Sequence, residues 1–583
     1  MNGKYEWAIE DIYKTQSDWE KDYNDVKEKV DFTEYKGKLS DPKVFLSCMQ
    51  KQEQLGRVLE KLSIYAMMRH DVDTADSNAD ALVSKIEFLY SKFSQEIAFV
   101  SPELTSLKTA QLKEYISLPE LKDYDYMLKC ILKSKAHVLS EKEEKLLAES
   151  GETLSTFKEI FTKIDNADLP LPTITHKGDK YQLSHGLYGV LMHDTDRALR
   201  KKCFKSYYNA YISMINTISS TYYGNVKKDV FVSKARHYDS CLSRALFCED
   251  VDPKVYHNLT SSVIKALPLL HRYMREKKKA LNLKTMHMYD VYVPTTENAE
   301  LKLSYEEAFE LVIKGLSPLG KDYENLLKKA RDSRWISVFE TKNKKSGAYS
   351  VAVYDTHPYV LLNYQKTTHD VFTIAHELGH SIHSYFSNKN QPYFKADYKI
   401  FVAEVASTVN EVLLIKYLIN TATDKKLKKY LLSYLLEMIR TTLFRQTQFA
   451  EFEEFTHGEV EKGEPLTKDK LCEKYLEINK KYYGKSVVSD DEIKYEWARI
   501  PHFYRSFYVY KYATGIISAL AIADKILNEG EEAVKNYFKF LSSGDSDGPV
   551  ELLKIAGVDL TKKQPFVSAF KTFSDALKQF IIL

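Results

Sequence analysis

The chain has 583 residues, which is enough for several domains or for one large helical body with a cleft. Apolar residues make up 44% of it and charged residues 28%, as is usual for packed globular proteins. The 84 basic and 81 acidic residues leave a net charge of +3, which argues against a polyanion-binding surface and against nucleic acid as a partner.

The sequence predicts a cytoplasmic protein that does not enter a membrane. Six cysteines are widely scattered, which is typical of reduced thiols and not of a disulfide framework. Met1–Tyr13 has no apolar segment of the kind found in signal peptides. The longest apolar run, Gly515–Ala523, is about half the length of a membrane span.

Helical periodicity dominates the first part of the chain, from about residue 5 to 165. Within Ala81–Phe99, for example, apolar residues recur every three or four positions. Leu169–Leu183 then combines prolines, β-branched residues and the turn Lys177-Gly178-Asp179, which predicts a small hairpin near 170–183. Helices resume at about Thr195. We expect a mainly α protein with an N-terminal helical region over 1–190 and a catalytic region over 191–583.

A second interruption of the helical pattern lies in the middle of the chain. Ser304 and Glu307 form a capping-box pattern that opens a helix. The stretch Trp335–Tyr364 then contains three short β-rich segments, which predict a small sheet. From about residue 371 to the end the pattern is helical again.

The motif HExxH follows that predicted sheet directly, as His376-Glu377-Leu378-Gly379-His380. Residues four apart on a helix share one face, so the two imidazoles can hold one metal ion. Glu377 is placed to accept a proton from a water molecule at that ion. The spacing therefore predicts a metal site and a general base on one helix, and we expect one Zn²⁺ ion per chain.

A third ligand has two candidates. The metzincin pattern is excluded because residues 383 and 386 are His and Phe where it needs Gly and His. Glu404 lies on an apolar segment 24 residues beyond His380, where we expect a buried carboxylate that needs a partner. His383 is the rival, but three histidines on one straight helix cannot easily surround an ion tetrahedrally. We therefore favour Glu404, and expect His383 near the site and Glu411 as an acceptor for a ligand histidine.

With these residues in place, the chain resembles the oligoendopeptidase F branch of the thimet-oligopeptidase-like (M3) metallopeptidases. The resemblance covers nearly the whole chain and is densest in Ser346–Ser350, Pro358–Tyr364, Asp370–Ser384, Phe401–Thr408, Arg445–Gln446 with Phe449–Phe452, and Pro501–Gly515.

This resemblance implies a two-lobed helical ellipsoid with a deep central cleft and a small sheet next to the HExxH helix. It implies zinc ligands at His376, His380 and Glu404, a general base at Glu377, and oligopeptides as substrates cut at internal bonds. A dipeptidyl carboxypeptidase or carboxypeptidase using the same zinc, or a helical peptide carrier without activity, are the alternatives.

The segment Arg499–Gly515 is crowded with tyrosines and contains one histidine. It is either an aromatic core helix or a source of hydrogen-bond donors to the oxyanion formed during hydrolysis. The resemblance favours donors at His502 and at Tyr510 or Tyr512.

The strand predicted at Tyr359–Tyr364 has two interpretations as well. It is either a core strand or an exposed edge that binds an extended peptide through its main chain, and the resemblance favours the edge. We expect the substrate to contact the following residues: Gly347, Ala348, Tyr349, Tyr359 and Tyr504.

Overall fold

A computed structural model describes the chain over residues 3–296 and 301–583. Helices predominate in this part, so the predicted mainly α fold class is confirmed. By their contacts the residues group into two compact units, each assembled from three segments of chain. Unit 1 combines Met1–Val138, Glu300–Tyr417 and Ile522–Val558, and unit 2 combines Leu139–Ala299, Leu418–Ala521 and Asp559–Leu583. The boundary predicted near residue 190 concerns order along the chain and stays a prediction.

Unit 1 contains the first six helices, a central group, and two helices near the C-terminus. The first six are α1 (Gln16–Lys29), α2 (Pro42–Val72), α3 (Ser77–Ile97), α4 (Val100–Ser106), α5 (Thr109–Ser117) and α6 (Asp125–Ser134). The others are α13 (Tyr305–Gly315), α14 (Gly320–Asp332), α15 (Thr368–Asn390), α16 (Tyr393–Ala396), α17 (Ile400–Thr421), α22 (Glu531–Leu541) and α23 (Pro549–Ile555).

The local signals read from the sequence fix several of these helices. In α3 the buried residues Leu82, Ile86, Leu89 and Phe93 follow the predicted spacing. The capping box at Ser304 forms and opens α13, because its hydroxyl accepts from the Glu307 N–H. These helices form as predicted.

A three-stranded sheet lies beside α15 in unit 1. Its strands are β4 (Ile336–Ser337), β5 (Tyr349–Val351) and β6 (Tyr359–Leu361), in the order β4-β6-β5. The pairing is parallel between β4 and β6 and antiparallel between β5 and β6. The predicted small sheet is therefore present, with β6 as its central strand.

Unit 2 is built around a second set of helices. They are α7 (Glu141–Lys163), α8 (His185–Met192), α9 (Arg197–Ser213), α10 (Ile215–Ala235), α11 (Cys241–Cys248), α12 (Pro253–Ala280), α18 (Lys425–Ile439), α19 (Arg445–Glu461), α20 (Lys468–Tyr483), α21 (Tyr510–Glu529, whose first part belongs here) and α24 (Gln564–Ile582).

Two small strand pairs complete unit 2. The predicted hairpin is present as β1 (Thr173–His176) and β2 (Asp179–Gln182), joined at Lys177 and Gly178, both with positive φ. In the other pair, β3 (Met286–His287) runs parallel to β7 (Val487–Val488). Among the helices of the described ranges, none combines the length and the apolar character that crossing a bilayer requires.

Candidate active site

The helix α15 carries the HExxH motif and begins at a well-formed cap. Thr367 Oγ1 accepts from the Asp370 N–H at 3.2 Å, and the Asp370 carboxylate accepts from the Thr367 N–H at 2.8 Å. His376 and His380 follow on one face of this helix, and their rings meet edge to face at 4.8 Å between centroids. The local sequence therefore presents two imidazoles to one point.

Close packing of α17 on α15 positions Glu404 near the two histidines. A Cβ added to Gly379 would lie 2.5 Å from Ser407 Cα, so the two helices touch through backbone at this point. The buried Asn410 side chain also ties them together, because its amide donates to the Ala375 carbonyl at 2.9 Å. Tyr323 in turn donates to Asn410 Oδ1 at 2.9 Å. This contact sets the distance of Glu404 from the two histidines.

His376, His380 and Glu404 form a group that could hold a metal ion. The Nε2 atoms of His376 and His380 are 3.1 Å apart. Glu404 Oε2 lies 3.4 Å from His376 Nε2 and 3.7 Å from His380 Nε2. Ligand atoms in a tetrahedral zinc site, with bonds of about 2.0–2.1 Å, are about 3.4 Å apart. The donor set and its spacing fit zinc. All three side chains are partly exposed, as a site with an open position for substrate requires.

The imidazole rings of His376 and His380 also form hydrogen bonds outside the group of three. His376 Nδ1 lies 3.2 Å from Glu411 Oε1, and because a carboxylate only accepts, Nδ1 is the donor of this hydrogen bond. A metal ion at Nε2 would take the place of a proton on that atom. His380 has a hydrogen bond with the backbone of Ala403. Burial lowers the pKa of His376, but the hydrogen bonds to Glu404 and Glu411 outweigh it and raise the pKa. Burial and the neighbouring His376 lower the pKa of His380.

Glu377 faces a different environment from the ligand carboxylate. It is 8% exposed, and burial raises the pKa of its carboxyl to about 7. The positive charge of His376 lowers the pKa, whereas Glu404 and Glu411 raise it further. A carboxyl group with a pKa near neutrality suits proton transfer in both directions.

His383 is not part of the metal-binding group. It is 1% exposed, and its ring stacks on Tyr398 with centroids 3.8 Å apart. Burial lowers the pKa of His383 to about 3, so the ring is neutral. Among the two candidates for third ligand, the geometry brings Glu404 to the histidines and leaves His383 in an aromatic stack.

The prediction that the strand at Tyr359–Tyr364 is an exposed edge is wrong. Its regular part is β6, whose two backbone edges are paired with β4 and β5. Tyr359 itself is fully buried in the core of unit 1, so its side chain is unavailable to a substrate. The continuous apolar run Tyr359–Leu362 is typical of a strand buried on both faces, and all three residues of β6 are buried.

The outer strand beside the metal helix is β5. Ser350 Oγ on this strand and Ser381 Oγ on α15 share a hydrogen bond of 2.8 Å, and Ser381 donates to the Glu377 carbonyl at 2.9 Å. The three predicted contact residues Gly347, Ala348 and Tyr349 lie at its start. Gly347 is exposed with φ of +87°, Ala348 is half-buried, and the half-buried Tyr349 donates to Asp71 at 2.8 Å.

The predicted oxyanion donors belong to unit 2. The Tyr512 hydroxyl lies 3.4 Å from His502 Nε2, and both side chains are half-buried. Burial and the positive charge of Arg505 lower the pKa of His502. Tyr510 is 1% exposed and packs against Tyr256 with centroids 5.3 Å apart. Of the two candidate tyrosines, Tyr512 is the one paired with His502.

The remaining predicted contact residue, Tyr504, is 6% exposed and stacks on Phe161 with centroids 4.3 Å apart. Its hydroxyl has no hydrogen-bond partner in the described ranges. The role assigned to Tyr504 stays a prediction.

Two buried acids that the sequence analysis missed hold the segment between His502 and Tyr512. Phe507 has φ of +57°, and its N–H donates to Glu453 on α19 at 2.9 Å. The preceding Ser506 donates to Asp229 on α10 at 2.6 Å. Burial raises the pKa of Glu453 well above its usual value, which favours the protonated form. No sequence signal distinguished Glu453, because residues 449–455 also contain Glu451 and Glu454.

Comparisons with known proteins agree with this geometry. A family model described as Peptidase family M3 matches residues 190–572, and one described as Oligopeptidase F matches residues 103–170. The chain belongs to peptidase family M3. It is therefore a peptidase of a metallopeptidase family, and the resemblance stated above is confirmed.

Individual relatives cover almost the full chain. Oligopeptidase PepF from Bacillus subtilis is 42% identical over 98% of this chain and 86% of its own length. A solved structure from Chlamydophila abortus is 37% identical with a TM-score of 0.95, covering 100% of this chain and 98% of that one. The crystal structure of oligoendopeptidase-F from Enterococcus faecium is 36% identical with a TM-score of 0.74, covering 97% and 99%.

Proposed function

We propose that this peptidase is a zinc-dependent endopeptidase that hydrolyses internal bonds of short oligopeptides. The observation that carries the proposal is the tetrahedral spacing of the donor atoms of His376, His380 and Glu404. Names of relatives such as oligoendopeptidase F support the choice of internal bonds. The scattered cysteines support a cytoplasmic location.

The proposed reaction depends on a bound zinc ion and on side chains with separate roles. A bound zinc ion would lower the pKa of a water molecule and polarise the scissile carbonyl. Glu377 accepts the proton of the attacking water and returns it to the departing amine, a task that its raised pKa of about 7 suits. His502 and Tyr512 donate hydrogen bonds to the developing oxyanion. Glu411 holds the His376 ring in the tautomer that leaves Nε2 unprotonated.

The main chain of β5 is the proposed support for the substrate backbone. It is an outer strand of its sheet and is tied to α15 one turn from Glu377. An extended peptide can add to such an edge through main-chain hydrogen bonds, which do not select side chains. This replaces β6 in that role.

Two variants test the proposal. Glu377→Gln should bind zinc like the unmodified protein but lose about 100-fold to 10,000-fold in kcat on an internally quenched peptide, since it cannot accept a proton. His376→Ala should lose both zinc and activity. Zinc is measured by atomic emission, and near-normal hydrolysis by Glu377→Gln would refute the assignment.

A peptide with an amidated C-terminus separates the endopeptidase from the carboxypeptidase alternatives. We expect cleavage of the amidated and the free-acid form, at an internal bond identified by mass spectrometry. Strict dependence on a free C-terminus, with release of one or two residues, would favour the alternative.

A further inference from the structure

A cavity of about 210 Å³ lies in unit 2, next to the segment that carries His502 and Tyr512. One wall comes from α11 with Arg244 and from Glu249, which follows that helix. The other wall comes from Arg505, Tyr508 and the start of α21. Its volume suffices for several water molecules or for one side chain of a bound peptide.

Some charged residues of the cavity lining have an oppositely charged neighbour, and in the described part of the chain Arg505 does not. Lys511 donates to Glu249 at 2.6 Å, and Asp229 already accepts from Ser506 and lies 3.3 Å from Lys228. Arg244 is 4.0 Å from Asp229. Arg505, in contrast, is exposed and has no carboxylate within 4.0 Å among the residues that the structure describes. The lining therefore offers a guanidinium group whose five donors lack an acidic partner.

Arg505 is held in place although its charge is unmatched. Its guanidinium lies over the Tyr508 ring, 4.1 Å from the centroid, in a cation–π contact. The neighbouring backbone is fixed by Ser506 on Asp229 and by Phe507 on Glu453. A cation fixed before binding loses less entropy when it takes a ligand.

Tyr508 is the shared wall between the cavity and the proposed oxyanion donors. Its ring centroid lies 6.0 Å from that of His502, with planes at 20°, and 5.4 Å from that of Tyr512. An extended peptide advances about 3.3 Å per residue. A group within two or three residues of a carbonyl held by His502 and Tyr512 can therefore reach Arg505.

We propose that this cavity is a specificity pocket for a carboxylate of the substrate peptide, bound by Arg505 close to the scissile bond. The inference rests on the proposed function, because it places the reacting carbonyl at His502 and Tyr512. A guanidinium matches a carboxylate in shape and charge, and accepts it through two parallel hydrogen bonds. The carboxylate has two possible sources, an acidic side chain or the C-terminus of the peptide.

The test compares matched internally quenched peptides. One series carries Glu or Gln at each of the three positions on either side of the cleaved bond, and another ends in a free acid or an amide. At one position the wild-type protein should prefer the carboxylate by about tenfold in kcat/KM, the size of one partly screened charge-assisted hydrogen bond. The series in which the preference occurs identifies the source.

Variants of Arg505 then assign the preference to the cavity. Arg505→Gln should reduce the ratio of carboxylate to neutral peptide to about one, and Arg505→Glu should invert it in favour of a peptide with Lys at the same position. Arg272→Gln, which changes an exposed arginine outside the cavity lining, should keep the wild-type ratio. Thermal midpoints within a few degrees of wild type verify folding.

The proposed pocket would be refuted if kcat/KM for the carboxylate and the neutral peptide differed by less than twofold in both series. An unchanged preference in Arg505→Gln would also refute it, and either result would leave the peptidase assignment intact. The proposed function fails differently, through hydrolysis that survives removal of the metal or through absence of hydrolysis in every peptide.

Discussion

Side chains that contact the proposed metal ligands would decide how tightly this group binds an ion. His376 is the example, since Glu411 fixes the proton on its Nδ1 atom and Glu404 faces its Nε2 atom. Neither Glu404 nor Glu411 is near His376 in sequence. The strength of the site thus depends on side chains that contact the ligand as well as on the ligand itself.

Glu411→Leu should weaken zinc binding about 10-fold to 100-fold, because the Nδ1 proton of His376 loses its acceptor. Glu411→Gln should give an intermediate value, since an amide oxygen still accepts. Competition with a chromophoric chelator measures both dissociation constants. Equal affinities in all three proteins would show that Glu411 has no part in binding the metal.

Glu453 is the second residue whose effect can be isolated. Glu453→Leu removes the acceptor of the Phe507 N–H, which holds a left-handed backbone that costs about 1–3 kcal/mol. We expect kcat to fall about tenfold with zinc content unchanged, because His502 and Tyr512 flank this segment.

The matched control is Glu453→Gln. Burial favours the protonated form of Glu453, and an amide oxygen can accept the same hydrogen bond as the neutral acid. It should retain most of the activity. A loss as large as that of the Leu variant would mean that the proton of Glu453, and not its position, is required.

Among the helices, the contact between α15 and α17 brings together the three residues of the candidate metal site. Gly379 lies in the middle of HExxH, and it allows the backbone of α17 to approach at Ser407, one turn from Glu404. The same helix pair is joined by Asn410 and Ala375. Helix packing therefore positions Glu404, the proposed third ligand.

Gly379→Ala should push the two helices apart, since the new Cβ meets backbone atoms at 2.5–2.9 Å. We expect a loss of stability of about 1–3 kcal/mol and weaker zinc binding, both measurable on the purified variant. Gly458→Ala in α19 is the control, because no atom lies within 4 Å of the new Cβ. That variant should be neutral or up to about 1 kcal/mol more stable. A Gly379→Ala protein with unchanged stability and affinity would contradict this account.

For the molecule as a whole, buried ion pairs make the free energy of unfolding depend on pH. In unit 2 the Glu496 carboxylate is 2% exposed and accepts from Arg445 at 2.7 Å and from Tyr475 at 2.6 Å. Burial raises the pKa of Glu496, but Arg445 and Arg499 outweigh it and lower the pKa to about 2. A folded-state pKa below the unfolded one favours the folded state above the unfolded pKa, and this gain is lost as pH falls towards 2.

Glu496 should therefore contribute about 3 kcal/mol of pH-dependent stability between pH of about 4.5 and about 2. Urea titrations across this range should show the midpoint falling with pH. Glu496→Gln should flatten that slope, and at neutral pH it should be less stable because two buried arginines lose their counterion. Tyr475→Phe removes one hydrogen-bond donor to Glu496, and its slope should lie between those of the unmodified protein and Glu496→Gln. An identical slope in Glu496→Gln would refute the assignment.

The local elements and the chemistry that they carry could be predicted from the order of residues alone. Helix α3, the hairpin β1–β2 and the cap of α13 formed as predicted, since periodicity, turns and caps act within a few residues. HExxH likewise defined two imidazoles on one face and a carboxylate one residue after the first of them, because helical geometry alone sets this spacing.

The relations between distant segments could not be predicted in this way and became visible in the folded chain. It chose Glu404 over His383 for the metal-binding group, made β6 a central strand, and paired Tyr512 with His502. Periodicity tells which face of an element is buried but not which element covers it. That choice depends on packing between residues far apart in the chain, as at Gly379, where the absence of a side chain lets a second helix bring its carboxylate to the histidines.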